Sequence, residues 1–236
     1  MTELMRTETR FFTSEEPLAL DGGTTLPGFT LAYEQYGELN AERDNAILVF
    51  HALTGSQHAA GRTDSVPGVG DRWTAECQTG WWDPFIGPGR ALDTDRFAVF
   101  CVNYLGGCYG STGPASESPE TGAPYGGSFP EVSVDDIVNS QLRLLDELGV
   151  ESLHAVIGAS LGALMCLSLA TRFPDRVDLV VPIAGGLEVT ALQFIHNFEQ
   201  VNAIVNDPSF QGGDYYAGPR PDQGLALARM IGHKTF

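Results

Sequence analysis

The stretch Leu153–Ala163, with the sequence LHAVIGASLGA, decides the fold. It joins an apolar run, Leu153–Ile157, through a Gly-Ala-Ser-Leu-Gly turn to a helical pattern that continues to Arg172. This order of strand, sharp turn and helix is the context that a G-x-S-x-G nucleophile elbow requires. Glycine tolerates the strained turn, and the serine at its apex precedes helix amides that can stabilise an oxyanion. We therefore expect Ser160 to be a catalytic nucleophile; the alternative is an ordinary turn in a chain with 28 glycines.

Apolar runs and a helical period alternate along the rest of the chain. The expected strands are Phe29–Tyr36, Ala46–His51, Phe97–Val102, Leu153–Ile157 and Val177–Ala184. Apolar residues at helical spacing predict a helix over Val134–Leu148, with Ser133 as its N-cap and Gly149 as its end. Strands that alternate with helices predict an α/β protein with a mostly parallel, doubly wound sheet.

Two parts of the chain are expected from its patterning. Residues 1–186 carry the strands and form the α/β core, whereas residues 187–236 are helical in pieces, lack a buried strand and begin a helical lid. The long segment Thr54–Asp95 is rich in Gly, Pro and Trp and has no clear period. Segments of that kind are usually functional or mobile loops.

Composition excludes several classes of function. The net charge is −17 and Lys234 is the only lysine, so no basic patch is available for nucleic acid. No apolar run approaches the roughly 20 residues that span a membrane, and the first ten residues lack a secretory signal, so we expect a cytoplasmic protein. The four cysteines fit no metal or disulfide spacing. The acidic charge indicates adaptation to high salt; the alternative is an ordinary solubilising surface.

A serine nucleophile needs oxyanion donors, a base and an acid. The donors are expected to be the backbone amides of Leu161 and of Leu53, or of its neighbour Ala52, in the loop after the second predicted strand. His51 precedes that loop and is expected to be a packed residue, since in this arrangement the base follows the serine along the chain.

The base and the acid have no convincing candidates after Ser160. His196 lies in a helical stretch, and His233 is three residues from the last residue. Asp175 and Asp178 fall at the start of a strand, at the far end of the sheet from the turn. We therefore expect the sheet to be incomplete at the C-terminus, and the catalytic Asp and His to be absent from this chain.

A series of motifs makes the chain resemble a known family. The motifs are His51–Gly55, Gly80–Asp83, Gly87–Gly89, Asp93–Phe97, Asn103–Cys108, Gly110–Pro114, Asp207–Pro208 and Gly224–Met230. Together they are similar to homoserine O-acetyltransferase of the α/β-hydrolase superfamily, from about residue 10 to the end. The resemblance implies the α/β-hydrolase fold, with acetyl transfer from acetyl-CoA, as co-substrate, to the hydroxyl of L-homoserine in methionine biosynthesis.

The resemblance also assigns roles. Ser160 would carry the acetyl group in a ping-pong reaction, and Arg229 would bind the homoserine α-carboxylate through paired hydrogen bonds; the alternative for Arg229 is a surface residue of a lid helix. No cofactor or metal is implied, and a homodimer is expected at full length.

The chain departs from the family pattern at three points. Its elbow is Gly-Ala-Ser-Leu-Gly-Ala where Gly-Gly-Ser-Met-Gly-Gly is typical, Phe236 replaces an expected tyrosine, and the portion with the catalytic Asp and His is missing. We therefore expect the isolated chain to be an inactive fragment. The alternatives are a homoserine or serine O-succinyltransferase, a serine esterase of the same fold, and a non-catalytic remnant.

Overall fold

The computed structural model describes residues 5–235. Phe236, the position of the expected tyrosine, lies outside the described residues. The strands within them are β1 Arg10–Ser14, β2 Leu18–Ala19, β3 Thr25–Leu26, β4 Phe29–Tyr36, β5 Ala46–Phe50, β6 Ile86–Gly87, β7 Leu92–Asp93, β8 Ala98–Val102, β9 Leu153–Ala159 and β10 Val177–Ile183. The α-helices are α1 Val134–Glu147, α2 Leu161–Arg172, α3 Ala191–Val205 and α4 Asp222–Gly232.

The described chain divides into two compact units. Residues 5–112 and 130–185 form the first unit, and residues 113–129 and 186–235 form the second. The first unit holds all ten strands of the described residues together with α1 and α2. The assignment of residues 187–236 to a lid stays a prediction.

A six-stranded sheet forms the first unit, in the order β1-β4-β8-β5-β9-β10. The four strands from β8 to β10 are parallel to one another, whereas β4 is antiparallel to both β1 and β8. This confirms the expected mostly parallel sheet. β5 and β8 are buried at every residue, as their continuous apolar sequences require for strands covered on both faces.

The two faces of the sheet are covered in different ways. Side chains of a strand alternate between faces, and Gly158 of β9 meets α2, so α2 covers that face. On the opposite face, Ala155 and Ile157 join a buried cluster with Ala59 and Ala60. The segment Thr54–Asp95 therefore covers the second face.

That segment is packed, although sequence analysis favours a functional or mobile loop. Three short 3₁₀ helices lie in it, Gly70–Arg72, Ala75–Gln78 and Asp83–Phe85, together with the small parallel pair of β6 and β7. The Trp73 indole is buried and donates to the Thr63 carbonyl oxygen at 3.0 Å. Most buried residues of Thr54–Asp95 lie in turns and not at the spacing of a helix or a strand. The sequence of this segment therefore shows no periodicity.

Helix α1 begins as predicted. The Ser133 hydroxyl accepts from the amide of Asp136 at 3.0 Å, and the Asp136 carboxylate accepts from the amide of Ser133 at 2.9 Å. This reciprocal capping box satisfies amides that the first helical turn leaves without partners. Asp136 also accepts from the amide of Asp21 at 3.0 Å, so the same carboxylate holds the start of α1 to the loop after β2.

The second unit is built on α3 and α4, which pack against each other. Gly224 allows the close approach, since a Cβ there would overlap the carbonyl oxygen of Ala203. Asp207, between the helices, accepts from the amide of Gly224 at 2.7 Å and from that of Ser209 at 2.8 Å. No helix among residues 5–235 has both the length and the hydropathy of a membrane span.

Candidate functional site

Ser160 stands between β9 and α2 with backbone angles that serine rarely adopts. Its φ is 55° and its ψ is −115°, in a region that strongly favours glycine. The turn is held by the Ser160 amide, which donates to the carbonyl oxygen of Ile183 at 3.0 Å, and by the Ala163 amide, which donates back to Ser160 at 3.0 Å. Ser160 is exposed and its hydroxyl caps no amide of α2. The serine is therefore presented at the start of a helix.

The loop that carries Leu53 begins beside this turn. β5 and β9 are hydrogen-bonded neighbours, and Phe50 at the end of β5 is paired with Gly158. In the first turn of α2, a Cβ on Gly162 would lie 3.0 Å from the carbonyl oxygen of His51 and would overlap the carbonyl oxygen of Phe50. Only glycine lets the first turn of α2 approach the end of β5 so closely.

The two candidate oxyanion amides belong to this junction. Leu161 is the first residue of α2, and Leu53 lies in a turn closed by the Gly55 amide, which donates to Ala52 at 2.9 Å. Among the loop, turn and cap hydrogen bonds of residues 5–235, none uses the amide of Leu53 or Leu161. Free amides beside a nucleophile can bind a developing oxyanion. The roles of Ser160, Leu53 and Leu161 stay predictions.

His51 is packed beneath the loop. Its ring is 2% exposed and stacks on Tyr104 with 3.7 Å between ring centroids. Its Nδ1 lies 2.7 Å from the Ala52 carbonyl oxygen, which can only accept, so Nδ1 donates. Burial lowers the pKa of His51 to about 4. A neutral, stacked ring of this kind braces the loop; its Nε2 has no partner among the described residues.

The Gly80–Asp83 motif fixes the chain that follows the loop. The Trp81 indole donates to the carbonyl oxygen of Ser56 at 2.9 Å, and the Asp83 carboxylate accepts from the amide of Gly61 at 2.8 Å. Gly80 lies so close to Ala60 that a Cβ would overlap its Cα atom. The motif therefore acts as a brace for residues 56–61, a role that spacing alone does not reveal.

Arg229 lies in the last turn of α4, in the second unit. Its side chain is exposed, and its guanidinium has no hydrogen bond or ion pair among residues 5–235. A free guanidinium is available to bind a carboxylate in paired geometry. Its role as a substrate ligand stays a prediction.

Glu34 and His58 form a buried polar pair that the sequence patterns do not predict. Glu34 lies in β4 and is 1% exposed, and its carboxylate is 3.0 Å from the His58 ring. The alternation of side chains along β4 could have indicated the burial of Glu34, because Glu34 and the buried Tyr36 are two residues apart and lie on the same face. No group of three or more His, Cys, Asp or Glu side chains in the described part of the chain is arranged to hold a metal ion.

Comparison with known proteins gives close relatives. The chain is 51% identical over 230 residues to the homoserine O-acetyltransferase of Symbiobacterium thermophilum, covering 96% of this chain and 57% of the relative. It is also 51% identical over 223 residues to the homoserine O-succinyltransferase of Alkalilimnicola ehrlichii, covering 94% of this chain and 56% of the relative. The chain thus spans a little over half the length of these curated relatives.

A solved structure and a family model agree on the fold. The crystal structure of esterase E22 matches with a TM-score of 0.87 and 34% identity, covering 97% of this chain and 61% of that one. The sequence model of the alpha/beta hydrolase fold matches residues 45–236, which is most of the chain. With its serine turn between β9 and α2, the chain belongs to the alpha/beta hydrolase fold family.

Proposed function

We propose that the protein is a homoserine O-acetyltransferase in which Ser160 carries the acetyl group. The observation that carries this proposal is the exposed, strained Ser160 at the start of α2, whose first amide, that of Leu161, is in no loop, turn or cap hydrogen bond of residues 5–235. The 51% identity to a homoserine O-acetyltransferase over almost the whole chain supports the choice of reaction.

The proposed chemistry has two steps. The Ser160 hydroxyl attacks the thioester carbonyl of acetyl-CoA, the carbon–sulfur bond breaks, and CoA leaves as its thiol with the serine proton. The hydroxyl of L-homoserine then attacks the acetyl-serine, which returns the proton to Ser160. The amides of Leu53 and Leu161 stabilise the oxyanion of both tetrahedral states, and loss of one such donor costs about 3 kcal/mol.

Two further parts of the proposal come from outside the first unit. Arg229 binds the α-carboxylate of homoserine, and the base and the acid that Ser160 needs are assigned to no residue of the first unit. The reaction needs no metal and no bound cofactor.

The test is direct detection of the acetyl-enzyme. Full-length protein mixed with acetyl-CoA alone is expected to gain one acetyl group, which peptide mass spectrometry places on Ser160. Adding L-homoserine should discharge it. The Ser160→Ala variant is the matched control and should gain none. Acetylation elsewhere, or an acetyl-serine that homoserine does not discharge, would contradict the proposal.

Two relatives define the competing functions. The similarity to a homoserine O-succinyltransferase makes succinyl-CoA the alternative donor, with homoserine or serine as acceptor. The rates of acyl transfer from acetyl-CoA and from succinyl-CoA to homoserine, measured side by side, decide between them. The two donors differ by one carboxylate, which only a few pocket side chains distinguish.

The likeness to esterase E22 favours ester hydrolysis as the second candidate. Fast hydrolysis of p-nitrophenyl acetate without an acceptor would support that function.

The setting of the enzyme follows from its surface. We propose a protein adapted to high salt, because 30 acidic residues oppose 13 basic ones. We propose that it is cytoplasmic because its four cysteines are free thiols, as is usual in a reducing compartment. We also propose a full-length homodimer formed through α3 and α4, which expose large apolar side chains, among them Phe194, Phe198 and Met230. Sedimentation of the full-length protein tests the dimer, and replacing Phe198 with Ser should weaken it.

A further inference from the structure

A buried carboxylate lies in the sheet on the face covered by residues 56–61. Glu34 is 1% exposed and accepts three side-chain hydrogen bonds: from Thr9 at 2.9 Å, from Tyr36 at 2.9 Å and from His58 at 3.0 Å. Thr9 is itself bonded to the Gln57 amide at 3.1 Å, so its hydroxyl proton is directed to Glu34. Thr9 and Tyr36 donate to Glu34, because the oxygen of each hydroxyl already accepts an N–H group, and two such donors are the pattern of an ionised carboxylate.

His58 lies opposite this carboxylate and is also 1% exposed. Its Nδ1 is 3.0 Å from the Glu34 carboxylate, and its Nε2 is 3.1 Å from the backbone carbonyl oxygen of Gln78. Both partners are acceptors, and a neutral imidazole has only one N–H to give. Two donated bonds therefore require the imidazolium form, which makes Glu34 and His58 a buried ion pair.

The tyrosine and the cysteine beside the pair are neutral. Burial and the charge of Glu34 raise the pKa of Tyr36 well above its usual range, and the same causes raise that of Cys101 in β8. Trp73 packs on the His58 ring with 5.8 Å between centroids. The Arg62 guanidinium donates to the side chain of Gln78 at 2.6 Å and is paired with Asp64 at 2.9 Å, rather than with Glu34. None of these neighbours therefore supplies a charge that could pair with Glu34 or His58 in place of the other.

The pair holds the chain that follows the Leu53 turn. Tyr36, which donates to Glu34, accepts the amides of Ala59 and Ala60 at 2.7 and 3.1 Å. His58 ties the same segment to Gln78. The turn of Leu53 thus lies between the end of β5 and the segment that these hydrogen bonds hold.

We propose that Glu34 and a protonated His58 are positioning residues that set the backbone amide of Leu53 for the oxyanion of the acyl-transfer reaction. This inference rests on the proposed function for its catalytic consequence. Neither side chain touches substrate; each acts through the hydrogen bonds that hold residues 57–60 against β4. Glu34→Gln removes the charge at nearly constant volume, and the same three partners then face an amide.

The protonation state is tested by nitrogen-15 NMR of the full-length protein labelled at histidine. At pH 7 both ring nitrogens of His58 are expected to show protonated shifts. In Glu34→Gln, one nitrogen should change to the unprotonated shift, whereas Asp136→Asn, which neutralises a buried carboxylate at the start of α1, should leave His58 unchanged. An unprotonated ring nitrogen in the wild type would overturn the ion pair.

The positioning role is tested by kinetics and hydrogen exchange. Glu34→Gln should lower kcat about 10-fold to 100-fold with little change in KM, because a small displacement of a catalytic donor costs rate rather than binding. It should also speed exchange at the amides of Ala59 and Ala60, and Asp136→Asn should do neither. Equal kcat values and equal exchange in the two variants would overturn the role.

Failure of the proposed function gives a different pattern of results. If the wild-type protein forms no acetyl-serine, acetyl transfer is contradicted whatever His58 shows. The NMR shifts and the exchange at Ala59 and Ala60 then still decide whether the ion pair holds this segment. If Glu34→Gln does not fold, Tyr36→Phe is the second variant. It removes one donor to Glu34 and the acceptor of the Ala59 and Ala60 amides, and it should likewise speed hydrogen exchange at those two amides.

Discussion

Gly158 lies against the backbone of Gly162 across the serine turn, and neither glycine has space for a side chain. A Cβ on Gly158 would overlap the carbonyl oxygen of Gly162 and would lie 2.9 Å from the sulfur of Cys166. Gly162 faces the end of β5 in the same way. The two glycines therefore set how closely α2 approaches both β9 and β5, and with it the position of Ser160 relative to the end of β5.

Replacing Gly162 with alanine is expected to push α2 away from β5. The added Cβ meets backbone atoms of Phe50 and His51, which cannot rotate away. We expect the free energy of unfolding to fall by about 3 kcal/mol, measured by urea denaturation, because overpacking against fixed backbone is costly. Gly22→Ala is the control, since a Cβ there has nothing within 4 Å. Equal effects of the two substitutions would contradict this account of the elbow.

Replacing Ser160 with glycine is expected to give a more stable protein than replacing it with alanine. The serine has a φ of 55° that glycine adopts without strain and alanine does not. Ser160→Gly should therefore be about 1 kcal/mol more stable than Ser160→Ala, while neither forms an acetyl-enzyme. Thermal and urea unfolding of the two variants, measured side by side, check this. A Gly variant no more stable than the Ala variant would show that the turn is not strained.

The main strands and α1 could be predicted because their residues carry regular periods. The AILVF run of β5 and the capped, amphipathic Val134–Glu147 helix lie within a residue or two of their predicted bounds. The elbow could be located because its glycines and serine lie at fixed spacing between a strand and a helix.

The rest depends on contacts that no period records. Trp81 and Asp83 act by hydrogen bonds to the backbone of residues 56–61, more than 20 residues earlier in the chain. The Glu34–His58 pair joins two segments in the same way. Such pairings follow from the folded path of Thr54–Asp95, whose turns have many possible sequences. They could be found only once the backbone was known.

His51 is expected to make stability depend on pH. Burial lowers its folded pKa to about 4, whereas an unfolded histidine has a pKa of about 6.5. The unfolded chain therefore binds a proton first as the pH falls, and stability is fully present above about pH 6.5 and declines toward pH 4, by about 3 kcal/mol in all. His51→Phe keeps a stacked ring and should lose this component. Urea midpoints of both proteins at pH 5 and pH 7.5 test it; identical pH dependence would contradict it.

Salt is expected to stabilise the folded protein. The net charge of −17 produces self-repulsion, and about 1 M NaCl shortens the screening length to about 3 Å. The unfolding temperature should rise steeply with NaCl and equally with KCl. A neutral osmolyte at the same osmolality serves as the control for solvent exclusion. An unfolding temperature that NaCl leaves unchanged would contradict adaptation to high salt.

Asp207 is expected to hold the helix that carries Arg229. α4 has no side-chain cap from its own N-cap residue, and Asp207 instead accepts the amide of Gly224 from outside the helix. The bonds from Gly224 and then from Ser209 lower the pKa of Asp207. The stabilisation that Asp207 gives the fold is therefore present above about pH 4 and is lost as the pH falls through the lowered pKa.

Asp207→Ala should therefore speed hydrogen exchange at Gly224 and lower the unfolding midpoint at pH 7, with the difference vanishing in strong acid. Asp222→Ala removes an equal charge from the first turn of α4 and is the matched control, since the Asp222 carboxylate is paired with Arg220 rather than with an amide of the helix. Equal exchange at Gly224 in the two variants would show that Asp207 does not cap α4.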